Sequence, residues 1–110
     1  MKEYIIKIEG SPFMIEALEM DLRKHSEFFE IKSKETVEPR SQYSLSFETF
    51  ASIVAIVSNS VLLIDFLLKQ LKNSKKGKIT IKTPTKRIEI ESSETLSKEE
   101  VSKIIKVLFD

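Results

Sequence analysis

Along the first ten residues apolar and charged positions alternate. Tyr4, Ile6 and Ile8 interleave with Glu3, Lys7 and Glu9, the period of a strand buried on one face. Gly10 ends that pattern, Ser11 offers a helix N-cap, and Pro12 suits the first helical position, where its missing N–H costs nothing. Met14, Ile15, Leu18 and Leu22 then fall on one side of a helix, with Glu16, Glu19 and Arg23 opposite. A second strand is predicted from about Glu27 to Val37, with Phe29 and Ile31 toward the core and Glu30, Lys32 and Lys34 toward water. Glu38-Pro39-Arg40-Ser41-Gln42 reads as a loop, since Pro39 lacks a ladder donor and turns Glu38 away from helix.

From about Ser46 to Asn73 the pattern reads as helical and strongly apolar, interrupted by Ser58-Asn59-Ser60, so either one long helix or two consecutive helices fit. Gly77 is a candidate helix stop. Ile79 and Ile81, then Ile88 and Ile90, alternate with polar residues on either side of Thr83-Pro84-Thr85-Lys86, the pattern of a hairpin. Ser97-Lys98-Glu99-Glu100 forms a capping-box sequence before a last helix whose Val101, Ile104, Ile105 and Leu108 share one face. The expected fold is α+β, a two-layer sandwich in the order β-α-β-α(α)-β-β-α. Its four-stranded sheet carries helices on one face and charges on the other.

The central segment stands out. Wound as a helix, Phe47, Phe50, Val54, Val57, Val61 and Leu68 make one apolar stripe, while Ile53, Ile56, Leu63, Ile64, Leu67 and Leu71 make a second on roughly the far side. A small sheet covers one such side. Unless the two halves fold on each other, the surplus marks an interaction site. Phe47, Phe50, Ile53, Ile56, Val57, Leu63, Leu67 and Leu71 are therefore the candidate partner-binding residues. Ser58, Asn59, Ser60 and Asp65 argue against a stable membrane span, a central Asp costing about 2.5–3.5 kcal/mol.

Composition narrows the chemistry. The 110 residues lack internal repeats and fit one domain, residues 1–110. Eighteen Lys+Arg against seventeen Asp+Glu give a net charge of +1, so no global field selects a partner. No cysteine, one histidine and two glycines exclude disulfides, thiolate zinc sites, His pairs and glycine-rich phosphate loops. No cofactor or metal is expected. The first residues do not resemble a signal peptide, and a cytoplasmic protein is expected. Locally, Lys69, Lys72, Lys75, Lys76, Lys78, Lys82, Lys86 and Arg87 form a basic stretch with no acid between Asp65 and Glu89. It is a candidate anion-binding surface for nucleic acid or a phosphate ligand, though without local aromatics for base stacking. His25 reads as a packed or capping residue, Asp65 as a structural polar contact, and Glu89 and Glu91 as partners for lysines on a wet face. No catalytic constellation emerges.

Three stretches, YIIKIEG with its following helix, FETFASIVAIVSNSVLLIDFLLKQLKN, and GKITIKTPTKRIEIESSETLSKEEVSKIIKVLF, resemble the effector-associated constant component domain of bacterial conflict systems. The resemblance implies a non-enzymatic adaptor that accompanies a separate effector protein in antiviral defence, and it brings no catalytic residues. With the apolar central segment, the expectation is a module that self-associates or holds that effector.

Overall fold

The computed structural model describes residues 3–37, 50–73, 77–91 and 98–109, with the backbone alone at Val37, Phe50, Asn73 and Lys98. Five strands and three helices follow in the order β1 (Tyr4–Gly10), α1 (Pro12–Lys24), β2 (Phe29–Val37), β3 (Phe50–Val57), α2 (Ser60–Asn73), β4 (Lys78–Lys82), β5 (Arg87–Glu91) and α3 (Lys98–Phe109). The sheet order is β2-β3-β1-β4-β5, and every neighbouring pair is antiparallel. β3 lies between β1 and β2, and β1 between β3 and β4, so the first six elements make two interlocked split β-α-β units. β5 and α3 extend that unit at the β4 side.

The α+β class agrees with the sequence; the strand count and central element do not. Residues 50–57 form a strand where a helix was expected, giving five strands instead of four. The physical reason lies in Phe50-Ala51-Ser52-Ile53-Val54-Ala55-Ile56-Val57. It is eight residues long, rich in β-branched side chains and closed by Ser58-Asn59. A strand paired on both sides needs apolar residues on both faces and loses its period-two signature. Ala51, Ile53, Ala55 and Val57 enter the core, while Ser52, Val54 and Ile56 take the other face.

Local signals place the other elements as expected. The Ser11 hydroxyl accepts from the Met14 N–H at 3.3 Å ahead of Pro12. Asn59 does the same for α2, its side-chain oxygen accepting from the Leu62 N–H at 3.1 Å. The Ser58-Asn59-Ser60 break is thus a strand-to-helix turn, anchored by the Ser58 N–H donating to the Phe28 carbonyl at 2.9 Å. The hairpin turn closes through the Thr83 N–H donating to the Lys86 carbonyl at 2.8 Å and the Lys86 N–H donating to the Thr83 hydroxyl at 3.0 Å. Gly77 uses no left-handed backbone, since no described residue has a positive φ. It is buried at the entrance to β4. The loop at Glu38-Pro39-Arg40-Ser41-Gln42 and the cap at Ser97 lie outside the described residues.

One helix-bearing face of the sheet builds the core. Ile6, Ile8, Ile53, Val57, Ile79, Ile81 and Ile90 meet Ile15, Leu18 and Leu22 of α1, Leu63, Ile64, Leu67 and Leu71 of α2, and Leu108 and Phe109 of α3. Five of the expected partner-binding residues are therefore core residues. Ile53, Val57, Leu63, Leu67 and Leu71 are each enclosed within the single chain and offer no docking surface. Most of the surplus of apolar side chains is taken up once half of the segment is a central strand.

In β2, Lys32 is an extra residue that shifts the register between Ile31 and Ser33. Before the bulge Phe29 and Ile31 face the helices; after it Lys34 does, and Ser33 and Glu35 take the far face. Lys34 thereby reaches Glu19 of α1 at 2.8 Å, on the side opposite to the one expected.

Candidate interaction surfaces

The face of the sheet away from the helices carries, strand by strand, Glu30, Ser33 and Glu35; Ile56, Val54 and Ser52; Ile5, Lys7 and Glu9; Lys82, Thr80 and Lys78; and Arg87, Glu89 and Glu91. No described helix covers it. Its charges register in lines across the strands: Lys7 opposite Lys82 and Lys82 opposite Arg87, beside Glu9 and Glu89, which flank Thr80. Like charges directly opposite repel, and the diagonal acids relieve them. Lys82 meets Glu9 at 2.9 Å, Lys7 meets it at 3.7 Å, and Arg87 meets Glu89 at 2.7 Å. The hydrogen bond from Lys82, with added attraction from Lys82, Lys7 and Arg87, holds the Glu9 carboxyl below its ordinary pKa against a smaller opposing effect of burial.

At the other end of this face the charges give way to Ile5, Ile56 and Val54. Ile5 lies directly across from Ile56 and is 58% exposed; Ile56 and Val54 are half-buried. Glu3, Glu27, Glu30 and Ser58 border Ile56 around a shallow cleft of about 140 Å³. The result is a small apolar patch with acids on one side and Lys7 on the other. Of the candidate partner-binding residues, Ile56 belongs to this patch, Phe47 lies outside the described residues, and of Phe50 only the backbone is described. Ile5 was missed, although an apolar residue among Glu3, Lys7 and Glu9 on the charged face of an alternating strand was the available signal.

Two other surfaces fit a docking role less well. β2 has an outer edge beyond β3, yet it carries a bulge and the charged side chains Glu30, Lys32, Lys34 and Glu35, which are features that discourage strand addition. On α1, Phe13 is 83% exposed and Met20 also points outward, while Val61 and Val107 are exposed on α2 and α3. Phe13 and Met20 share one side of α1, about 10 Å apart at about 1.5 Å per residue, and the other two are single apolar residues on separate helices.

The basic stretch is dispersed. Lys69 and Lys72 are exposed on α2, on the helical side; Lys78, Lys82 and Arg87 lie on the open sheet face; and Lys86 is in the hairpin turn. Lys75 and Lys76 lie outside the described residues. Lys69 faces Asp21 at 3.9 Å, and Lys78 faces Glu89 at 3.2 Å. Together with the Lys82 and Arg87 pairs, four of the six described cations already face acids across two sides of the molecule. His25 caps α1 and tilts over Phe66 at 5.3 Å, with Glu27 3.7 Å away. Asp65 is exposed, so it needs no buried partner. Glu89 pairs with lysine and arginine as expected on a wet face. Among the described residues no three potential metal ligands cluster, and no helix is long and apolar enough to cross a membrane.

No family model matches the sequence, and no curated protein does. Among solved structures, CutA1 from Pyrococcus horikoshii is similar at 14% identity, with 96% of this chain and 99% of that chain covered and a TM-score of 0.30. That overlap is too low to bear on function, so the split β-α-β architecture stands on the strand order and register described above.

Proposed function

We propose that this protein is a non-enzymatic association module that self-associates through the open face of its sheet. The observation that carries the reading is Ile5, more than half exposed beside Ile56 and Val54 on a face that no described helix covers. Burying such side chains against another surface is favourable, at roughly 25 cal/mol per Å² of apolar area. The basic stretch, divided between two sides and largely paired with acids, favours a solvated surface over a phosphate-binding one. By the resemblance to the effector-associated domain, the assembled module would hold an effector protein of a bacterial defence system.

Light scattering across a concentration series tests self-association. The expected result is a mass that rises from one chain to two, no rise in Ile5→Asp, and an unchanged rise in Val107→Asp, which places the same charge on α3. A wild-type protein that stays monomeric at every concentration overturns the reading.

A further inference from the structure

We infer that the partner of this face is a second copy of the same chain, related by a two-fold axis that runs across the strands through Ile5 and Ile56, so that Lys7 of each copy meets Glu3 of the other. The inference rests on the association reading above and adds its geometry.

Glu3 precedes Ile5 by two residues and Lys7 follows it by two. In an extended chain all three side chains fall on one face, with the charges about 7 Å to either side of the isoleucine. Glu3 also borders the cleft at this end of the sheet, which Ile56 and Glu30 of the open face line together with residues of the α1–β2 turn. A two-fold axis through Ile5 exchanges the two directions along the strand. It lays Ile5 on Ile5 and Ile56 on Ile56 of the second copy, and lays each Lys7 on the other copy's Glu3, giving two identical ion pairs around an apolar centre. The patch is thus its own complement, the requirement for an isologous contact. An unrelated partner would need this acid–apolar–base order by coincidence; a second copy carries it by construction.

The side chains are suited to this role. Glu3 is exposed and makes no ion pair among the described residues. Lys7 is 44% exposed and only loosely held by Glu9. Glu30, at the rim on β2, would approach its own counterpart, but Lys32 already neutralises it at 3.0 Å. Strands opposed in this way run antiparallel, and aligned sheets pack at about −30° with about 10 Å between them. The axis through Ile5 lies near one end of β1, so the copies overlap over about five residues of β1, β3 and β2. That overlap is about 17 Å by about 14 Å, at about 3.4 Å per residue and about 4.8 Å per strand, well below the area of stable interfaces. The dimer is therefore expected to be concentration-dependent.

Charge exchange tests the arrangement, read as the dimer dissociation constant by sedimentation velocity with melting curves as the check on folding. Glu3→Lys and Lys7→Glu should each weaken the dimer by about tenfold, because each puts two like-charge contacts into one interface. The two substitutions together should restore it to within about threefold of wild type. Lys7→Gln stands in if Lys7→Glu destabilises the fold beside Glu9, and should weaken the dimer by less. Two unchanged single variants, or a double variant no tighter than the singles, overturn the two-fold arrangement, whereas loss of the dimer in Ile5→Asp still upholds the face. A dimer unaffected by Ile5→Asp, or a wild-type monomer, overturns both.

Discussion

The phenol of Tyr4 donates a hydrogen bond of 2.7 Å to the backbone carbonyl of Phe109, and the two rings meet edge to face with centroids 4.8 Å apart. The first strand is thereby tied to the end of the last helix. The Phe109 carbonyl belongs to the last turn of α3, where no intrahelical donor remains for it, so the hydroxyl satisfies a group that the helix cannot.

Tyr4→Phe should therefore leave the ring contact and remove the hydroxyl. A loss of about 0.5–1.5 kcal/mol in global stability is expected by urea denaturation. Amide hydrogen exchange should quicken most in the last turn of α3. Equal protection of that turn in wild type and variant would show that the ring contact alone holds the helix in place.

The division between core and open sheet face predicts opposite behaviour for two side chains of similar size. Leu67 of α2 is fully enclosed by the sheet and its neighbouring helices, so Leu67→Ala should cost about 2–5 kcal/mol in denaturation. Ile5→Ala, on the open face, should cost far less in the fold of a dilute monomer. A Leu67→Ala protein as stable as wild type would place that residue on a surface, as the helical reading of the segment first suggested.

That contrast shows where the sequence was legible. α1 could be read from Ser11, Pro12 and the spacing of Met14, Ile15, Leu18 and Leu22, and the β4–β5 hairpin from alternating isoleucines around Pro84, because half-buried elements print their period. β3 could not be read in that way. It is paired on both sides and apolar on both faces, so Ile53 and Ile56 fit a helical wheel as well as a pleat. The side change of Lys34 was also hidden, since an extra residue such as Lys32 leaves no mark on composition or spacing. Ile5 was legible but overlooked: Tyr4, Ile6 and Ile8 had already supplied the strand's buried face.

Glu19 predicts the acid limb of stability. Its carboxylate accepts hydrogen bonds from Lys34 of β2 at 2.8 Å and from Arg23 at 2.9 and 3.1 Å, joining α1 to the edge strand. The Lys34 bond, then the Arg23 bond, hold its pKa below the ordinary 4.5 against a smaller opposing effect of burial. A pKa lowered by folding means that the charged form favours the native state. Its stabilisation is fully present above about 4.5 and fades as the pH falls through the lower folded value. Glu19→Gln should accordingly be less stable than wild type at about pH 7, with the gap narrowing in urea titrations as the pH falls below 4.5. A gap that persists unchanged into acid would assign the effect to packing.

Lys32 offers a test of how the β2 edge is kept from pairing with other chains. The bulge kinks an otherwise continuous nine-residue edge strand, and the charged side chain sits at that kink. Deleting Lys32 brings Ser33 directly after Ile31, which already pairs with Ala55 while Ser33 pairs with Val54, so every other residue keeps its face. The fold should survive with a stability change of about 1 kcal/mol or less, as for other solvated edge substitutions. The straightened edge, however, presents an unbroken row of backbone donors and acceptors. The deletion variant should form large β-rich assemblies on concentration, visible as a rise in light scattering and thioflavin fluorescence that the dimer-breaking Ile5→Asp does not suppress. If the deletion stays as soluble as wild type, the flanking charges of Glu30, Lys34 and Glu35 protect the edge without the bulge.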